Sequence, residues 1–210
     1  MKKEHQTEVL EYRIHNDIKK VSFFPKGRRI PLFMEEIVMK TKQLVLTALL
    51  ITLGVVLPMA FHAIPNGGQL FSPMHIPVLI CGLTTGPLTG LICGAVTPIL
   101  SSVLTGMPPA ARLPGMVVEL AVYGLVSGLM MKLLKNNKSF AKIYIALIVA
   151  MLCGRIAGGL VNALVLNAGN YTLKAWVTGY FVTGIAGIVT HLLIIPVVVR
   201  ALQKANLTSV

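Results

Sequence analysis

Glu119 and Tyr123 stand four residues apart in an apolar stretch, so on a helix they share one face. A carboxylate beside a phenol can hold a polar ligand, relay a proton or pair with a cation. The cation within such a phase is Arg155, which also lies in an apolar run. Gln69, His75, Arg112, Asn162 and Trp176 add donors and acceptors, with His62, Asn66, Asn167 and Tyr180 close to them in the chain. Each has a second explanation. Glu119 and Arg155 either contact a ligand or neutralise one another, because isolated charge in an apolar phase is expensive. Trp176 and Tyr180 also suit an interfacial aromatic belt. Arg112 also reads as a solvated loop cation, and His75, between Pro73 and Pro77, as a helix cap. His191 reads as a hydrogen-bonded core residue.

No catalytic constellation accompanies these groups. The sequence has no G-x-x-x-x-G-K-[ST] phosphate cradle, no H-E-x-x-H, and no aspartate after Asp17. One carboxylate cannot both hold magnesium and act as a base. Ser101 and Ser102 lack a G-x-S-x-G setting. Cys81, Cys93 and Cys153 fall inside apolar blocks without metal-ligand spacing and read as packing residues. The expectation is a protein that is not an enzyme, with no catalytic residues, no metal and no cofactor.

The elements that position these groups follow from composition. From Met39 to Val210 the chain carries eleven Lys and Arg but one acid, Glu119. Charged residues make up 12% of the whole, and the mean hydropathy is +0.77. A soluble domain needs both signs of charge over its surface, so this segment is solvated by lipid. About 20 apolar residues cross a bilayer core of about 30 Å. Apolar runs at Leu44–Phe61, Met74–Leu83, Leu88–Leu104, Met116–Leu134, Ile143–Leu166 and Ala175–Val199 predict six helices, the second short or tilted. Turn signals separate them at Ile64–Gly68, Thr84–Pro87, Gly106–Pro109, Lys135–Lys138 and Asn167–Asn170. The fold class is an all-α membrane protein, a compact bundle of six transmembrane helices.

Lys40 and Lys42, the four lysines around the fourth connection, and Arg200 and Lys204 fall on one side if there are six crossings. Only Arg112 and Lys174 fall on the other, so both termini are expected to be cytoplasmic, in a bacterial cell membrane. This placement of cations at span ends argues for a lipid bilayer partner and against nucleic acid, despite a net charge of +12. Gly82, Gly86, Gly90 and Gly94 recur every fourth residue, as do Gly124 with Gly128 and Gly154 with Gly158, which predicts closely approaching helices. Residues 1–38 are charged and weakly patterned. They read as a cytoplasmic tail, mostly disordered with a short helix around Val9–Ile18, or as a misassigned start with Met39 as initiator, leaving 39–210 as the membrane domain.

The sequence resembles the substrate-binding membrane subunits (S components) of energy-coupling factor vitamin transporters. The residues that carry the resemblance are Pro73–Leu79 (PMHIPVL), Gly82–Pro98 (GLTTGPLTGLICGAVTP), Gly106–Pro109 (GMPP), Glu119–Leu125 and Gly154–Ile156, and it covers about Met39 to Lys204. The resemblance implies six short spans and no ATP site, with power supplied by a transmembrane coupling subunit (EcfT-like) and two cytoplasmic ATPases (EcfA-like). It implies docking of the coupling subunit on the first helix at Ala48, with Thr52 in place of a second alanine. It implies a lid at about His62–Pro73 and substrate contacts at Gln69, His75, Arg112, Glu119, Tyr123, Arg155, Asn162 and Trp176. A small vitamin would be bound and the whole subunit would then topple against the coupling protein. Two inward arginines with amide donors suit a carboxylate, so pantothenate is the first expectation. A pyridoxine-like or pyrimidine precursor, niacin and a cobalamin-type ligand stay open.

Two other functions fit the composition. A stand-alone secondary carrier or facilitator would need inverted repeats with interrupted helices or a proton-relay chain, and one acid without an internal repeat argues against it. A purely structural membrane partner would bind neither ligand nor ATPase.

Overall fold

The computed structural model describes residues 32–61, 67–135, 140–166 and 172–208, with the backbone alone at 32–40, 69, 165, 166 and 173. The chain divides into two units, Met1–Val38 and Met39–Val210. In the first, residues 32–38 are helical; the remainder of the expected tail, including Val9–Ile18, lies outside the described residues.

The described residues are helical and contain no strand. In chain order they form α1 (Leu32–Ala60), α2 (Gly67–Phe71), α3 (His75–Thr85), α4 (Pro87–Thr105), α5 (Leu113–Leu133), α6 (Ala141–Val161), α7 (Leu173–Val177) and α8 (Ile185–Lys204). A π-helical turn, Asn162–Leu166, extends α6, and another, Thr178–Val182, follows α7. Among the described residues, five stretches are long and apolar enough to cross a membrane: Thr41–Ala60, Pro87–Thr105, Leu113–Leu133, Ala141–Leu164 and Lys174–Lys204.

The expected short second span is α3, with 11 residues. At 1.5 Å per residue it rises about 16 Å, roughly half the hydrocarbon thickness. All of its residues are buried, and it packs against α4, α5 and α8. A helix apolar on every side is one surrounded by protein, and α3 is the centre of the bundle. The longer helices turn Leu44, Leu88, Val103, Leu133, Leu193 and Val197 outward, as lipid-facing positions require.

The break between α3 and α4 falls at Gly86-Pro87, as the turn signal predicts. Gly86 takes φ 113° and ψ 176°, a conformation that side chains strongly disfavour. Pro87 then opens α4, where its missing N–H is no loss. Beyond this turn the helices close on one another through glycine. A Cβ on Gly90 would overlap the Gly124 carbonyl, and one on Gly124 would overlap the Gly90 backbone. Gly82 also faces Gly124, Gly94 faces the Leu120 carbonyl, and Gly128 faces the Gly86–Pro87 peptide. The fourfold glycine spacing is therefore a single seam joining α3, α4 and α5.

The same device joins α5 to α6. Gly154 lies under the Tyr123 ring, and a Cβ on Gly158 would come 3.0 Å from Cβ of Glu119. Buried hydroxyls on α3 and α4 bond to their own helices, Thr84 to the Ile80 carbonyl at 2.7 Å and Thr97 to that of Cys93 at 2.6 Å. No lipid-facing partner is then needed. Cys81 and Cys93 are buried free thiols within this packing, and Cys153 is half-buried.

The expected sixth span is divided. A turn at Thr183-Gly184 separates α7 and its π-helical turn from α8, which alone has 20 residues. The first part lies over the C-terminal end of α6, where Trp176 Nε1 donates to the Arg155 carbonyl at 3.1 Å.

Candidate functional site

Glu119, Tyr123 and Arg155 form the centre of a buried polar cluster. Glu119 and Tyr123 are one turn apart on α5, and the Tyr123 hydroxyl donates to Glu119 Oε1 at 2.9 Å. Arg155 reaches across from α6 and donates from Nε to the Tyr123 oxygen at 3.2 Å. The two charges are thus joined through a phenol. Glu119 is 8% exposed, Arg155 5% and Tyr123 1%. The glycines at 154 and 158 let the two helices approach closely enough for this bridge.

His75 opens α3 and brings Nε2 to 3.6 Å from Glu119 Oε1. It makes no helix cap: the N-cap is Met74, and no side-chain cap bond is formed. Its ring lies 5.2 Å from that of Tyr123 and 6.0 Å from that of His191 on α8. His191 Nε2 is 3.3 Å from the Ser72 carbonyl, which ties α8 to the turn before α3.

On its other side Arg155 donates from Nη1 to the Tyr180 carbonyl and lies over the Phe181 ring, 5.3 Å from the centroid. Asn162 Nδ2 donates to the Tyr180 hydroxyl at 2.8 Å and to the Gly158 carbonyl at 3.0 Å. The π-helical turns begin at Asn162 and at Thr178, so the backbone irregularity coincides with the site. Here Trp176 and Tyr180 are members of the cluster as well as aromatic residues near the end of a span.

The structure therefore brings together His75, Glu119, Tyr123, Arg155, Asn162 and Trp176 of the expected set. Arg112 is placed elsewhere, exposed at the N-cap of α5 and seven residues before Glu119. That separation is about 10 Å along the helix. Gln69 is in α2, and its side chain lies outside the described residues, as do His62, Asn66 and Asn167. Ala48 and Thr52 are exposed on α1, on the face that also carries Leu44, Leu49 and Val56.

Tyr180, Phe181 and His191 complete the cluster. The fourfold spacing of Trp176 and Tyr180 was the available signal for one face of α7 and its extension. No local pattern announces His191, which meets His75 across 116 positions of chain.

Among the described residues, no group of three or more His, Cys, Asp or Glu could hold a metal ion. Apolar spans around a small buried set of ionic, phenolic and imidazole groups define a multi-pass membrane protein with a polar site at one end of its bundle. The chain belongs to the substrate-specific components of ECF transporters, whose family model (ECF transporter, substrate-specific component) matches residues 42–199. It is a membrane transport subunit, and membership implies association with the coupling and ATPase components of such transporters. No curated protein and no solved structure matches the chain.

Proposed function

We propose that this chain is the high-affinity binding subunit of an ECF-type importer for a small vitamin or vitamin precursor, with partner ATPases supplying the energy. The observation that carries the reading is the Glu119–Tyr123–Arg155 bridge, buried at one end of a lipid-facing body. Ionic groups in such surroundings mark pathways and binding sites. Substrate contacts are assigned to Gln69, His75, Arg112, Glu119, Tyr123, Arg155, Asn162 and Trp176, with Arg112 approaching from the rim. Both termini are placed in the cytoplasm and the site toward the outside, following the cation bias.

The exposed small residues Ala48 and Thr52 are the proposed docking face for the coupling subunit. Small side chains let a partner helix come close where no hydrophobic effect drives association. Pantothenate was expected from two inward arginines; with Arg112 at the rim, only Arg155 and neighbouring amides still support an anion, and the uncharged rings stay open. The test is reconstitution in vesicles. Uptake that needs the coupling subunit, the ATPases and ATP agrees with the proposal. Uptake by the chain alone favours a secondary carrier, and neither binding nor ATPase association favours a structural role.

A further inference from the structure

The paired imidazoles name a substrate class for this site, an inference that rests on the binding-subunit reading. His75 and His191 stack at 6.0 Å with 23° between their planes. Each directs Nε2 to a protein oxygen, Glu119 Oε1 for His75 and the Ser72 carbonyl for His191. Among the described residues, each also holds Nδ1 buried without a hydrogen-bond partner. The residues are only 7% and 1% exposed. Nearly every buried polar atom in a folded protein has a partner, so two orphaned nitrogens in one cluster point to a partner that arrives from outside the chain.

The charge of that partner follows from its neighbours. Glu119 and Arg155 already balance one another through Tyr123. A ligand bringing net charge would leave one charge uncompensated in apolar surroundings, which is strongly unfavourable. Its shape follows from the aromatic side chains of the cluster. Tyr123 lies against His75, and Trp176 stands edge-on to Phe181 at 5.3 Å, beside Arg155. Flat side chains receive flat molecules by offset or edge contacts.

We propose that His75 and His191 are substrate contacts whose Nδ1 atoms hydrogen-bond the polar substituents of an uncharged, planar heteroaromatic molecule. An imidazole nitrogen donates or accepts according to tautomer. The pair therefore suits a ring carrying hydroxyl, amino or ring-nitrogen groups. This makes His191 a specificity residue rather than core filling.

The test uses the full chain in detergent, titrated with pyridoxine and a hydroxymethyl aminopyrimidine as uncharged rings, and with pantothenate and nicotinate as anions. Saturable binding of at least one uncharged ring is expected, with neither anion competing at equal concentration. His75→Gln and His191→Gln keep an amide near the Nε2 position and remove Nδ1. Both are expected to fold and to weaken ring binding about tenfold or more, the loss of a buried hydrogen bond. His191→Asn, whose amide lies nearer Nδ1, should retain more affinity than His191→Gln. Binding of an anion alone, binding of none of the four, or full affinity in both Gln variants overturns the proposal. If a Gln variant does not fold, the four-compound titration of the parent chain decides. An anion imported with the ATPases would remove this inference and leave the transporter reading standing. A ring that binds but is never imported would do the reverse.

Discussion

The Tyr123 hydroxyl lies 2.9 Å from Oε1 of Glu119, one turn away on the same helix, while accepting a bond from Arg155 at 3.2 Å. Both side chains therefore depend on one phenolic oxygen. Tyr123→Phe keeps the ring against Gly154 and removes that oxygen, leaving a buried donor and acceptor each short of a partner. The expected loss of stability is about 1–3 kcal/mol, read from thermal unfolding in detergent. An unchanged melting temperature would mean that the bridge contributes nothing to the fold.

Removing both charges should cost less than the two single losses added together. Arg155→Leu strands Glu119 in apolar surroundings, and Glu119→Leu strands Arg155; each is expected to destabilise by about 3–5 kcal/mol. The double variant should be less destabilised than the sum of the two. A double-mutant cycle gives the coupling, expected within about 0.5–3 kcal/mol; strict additivity would show that the charges do not sense one another.

The glycine seam makes a sharper contrast. Gly90→Ala puts a methyl into the Gly124 carbonyl, whereas a Cβ on Gly68 or Gly179 meets nothing within 4 Å. Gly90→Ala should destabilise by about 1–3 kcal/mol or more through overpacking. Gly68→Ala should stay within about 0.5 kcal/mol of the parent. Folded yield and melting temperature of the pair measure the difference.

How far the sequence led is visible at these positions. Period-four glycines and the Gly86-Pro87 break were legible because each is a local backbone requirement, met within a few residues. The Glu119–Tyr123 contact was legible for the same reason, being one helical turn. The length and apolar character of α3 were legible too, although its place at the centre of the bundle was not. Burial all round depends on which helices surround it, and α8 arrives 100 residues later. His191 read as a hydrogen-bonded core residue, and it is buried with Nε2 at the Ser72 carbonyl, but its stacking on His75 was out of reach because that ring lies on another helix. Arg112 was legible as a loop cation between Pro109 and Pro114, but its distance from the buried cluster was not. It stands only seven residues before Glu119, but that distance along α5 sets it at the rim.

The exposed α1 face gives a prediction about assembly. Ala48→Trp and Thr52→Trp should leave folding of the isolated chain unchanged, since both positions are exposed. Each should abolish or severely weaken co-purification with the coupling subunit, while Thr52→Ala retains it. Full assembly of both Trp variants would place the docking surface elsewhere on the chain.

The central claim is that this body captures its substrate while other chains supply the energy. Vesicles holding the chain together with the coupling subunit and ATPases, and matched vesicles holding the chain alone, test it with the radiolabelled ligand that the isolated chain binds. The account predicts concentrative uptake in the first set, dependent on internal ATP, with binding but no accumulation in the second. Sustained accumulation by the chain alone would contradict it.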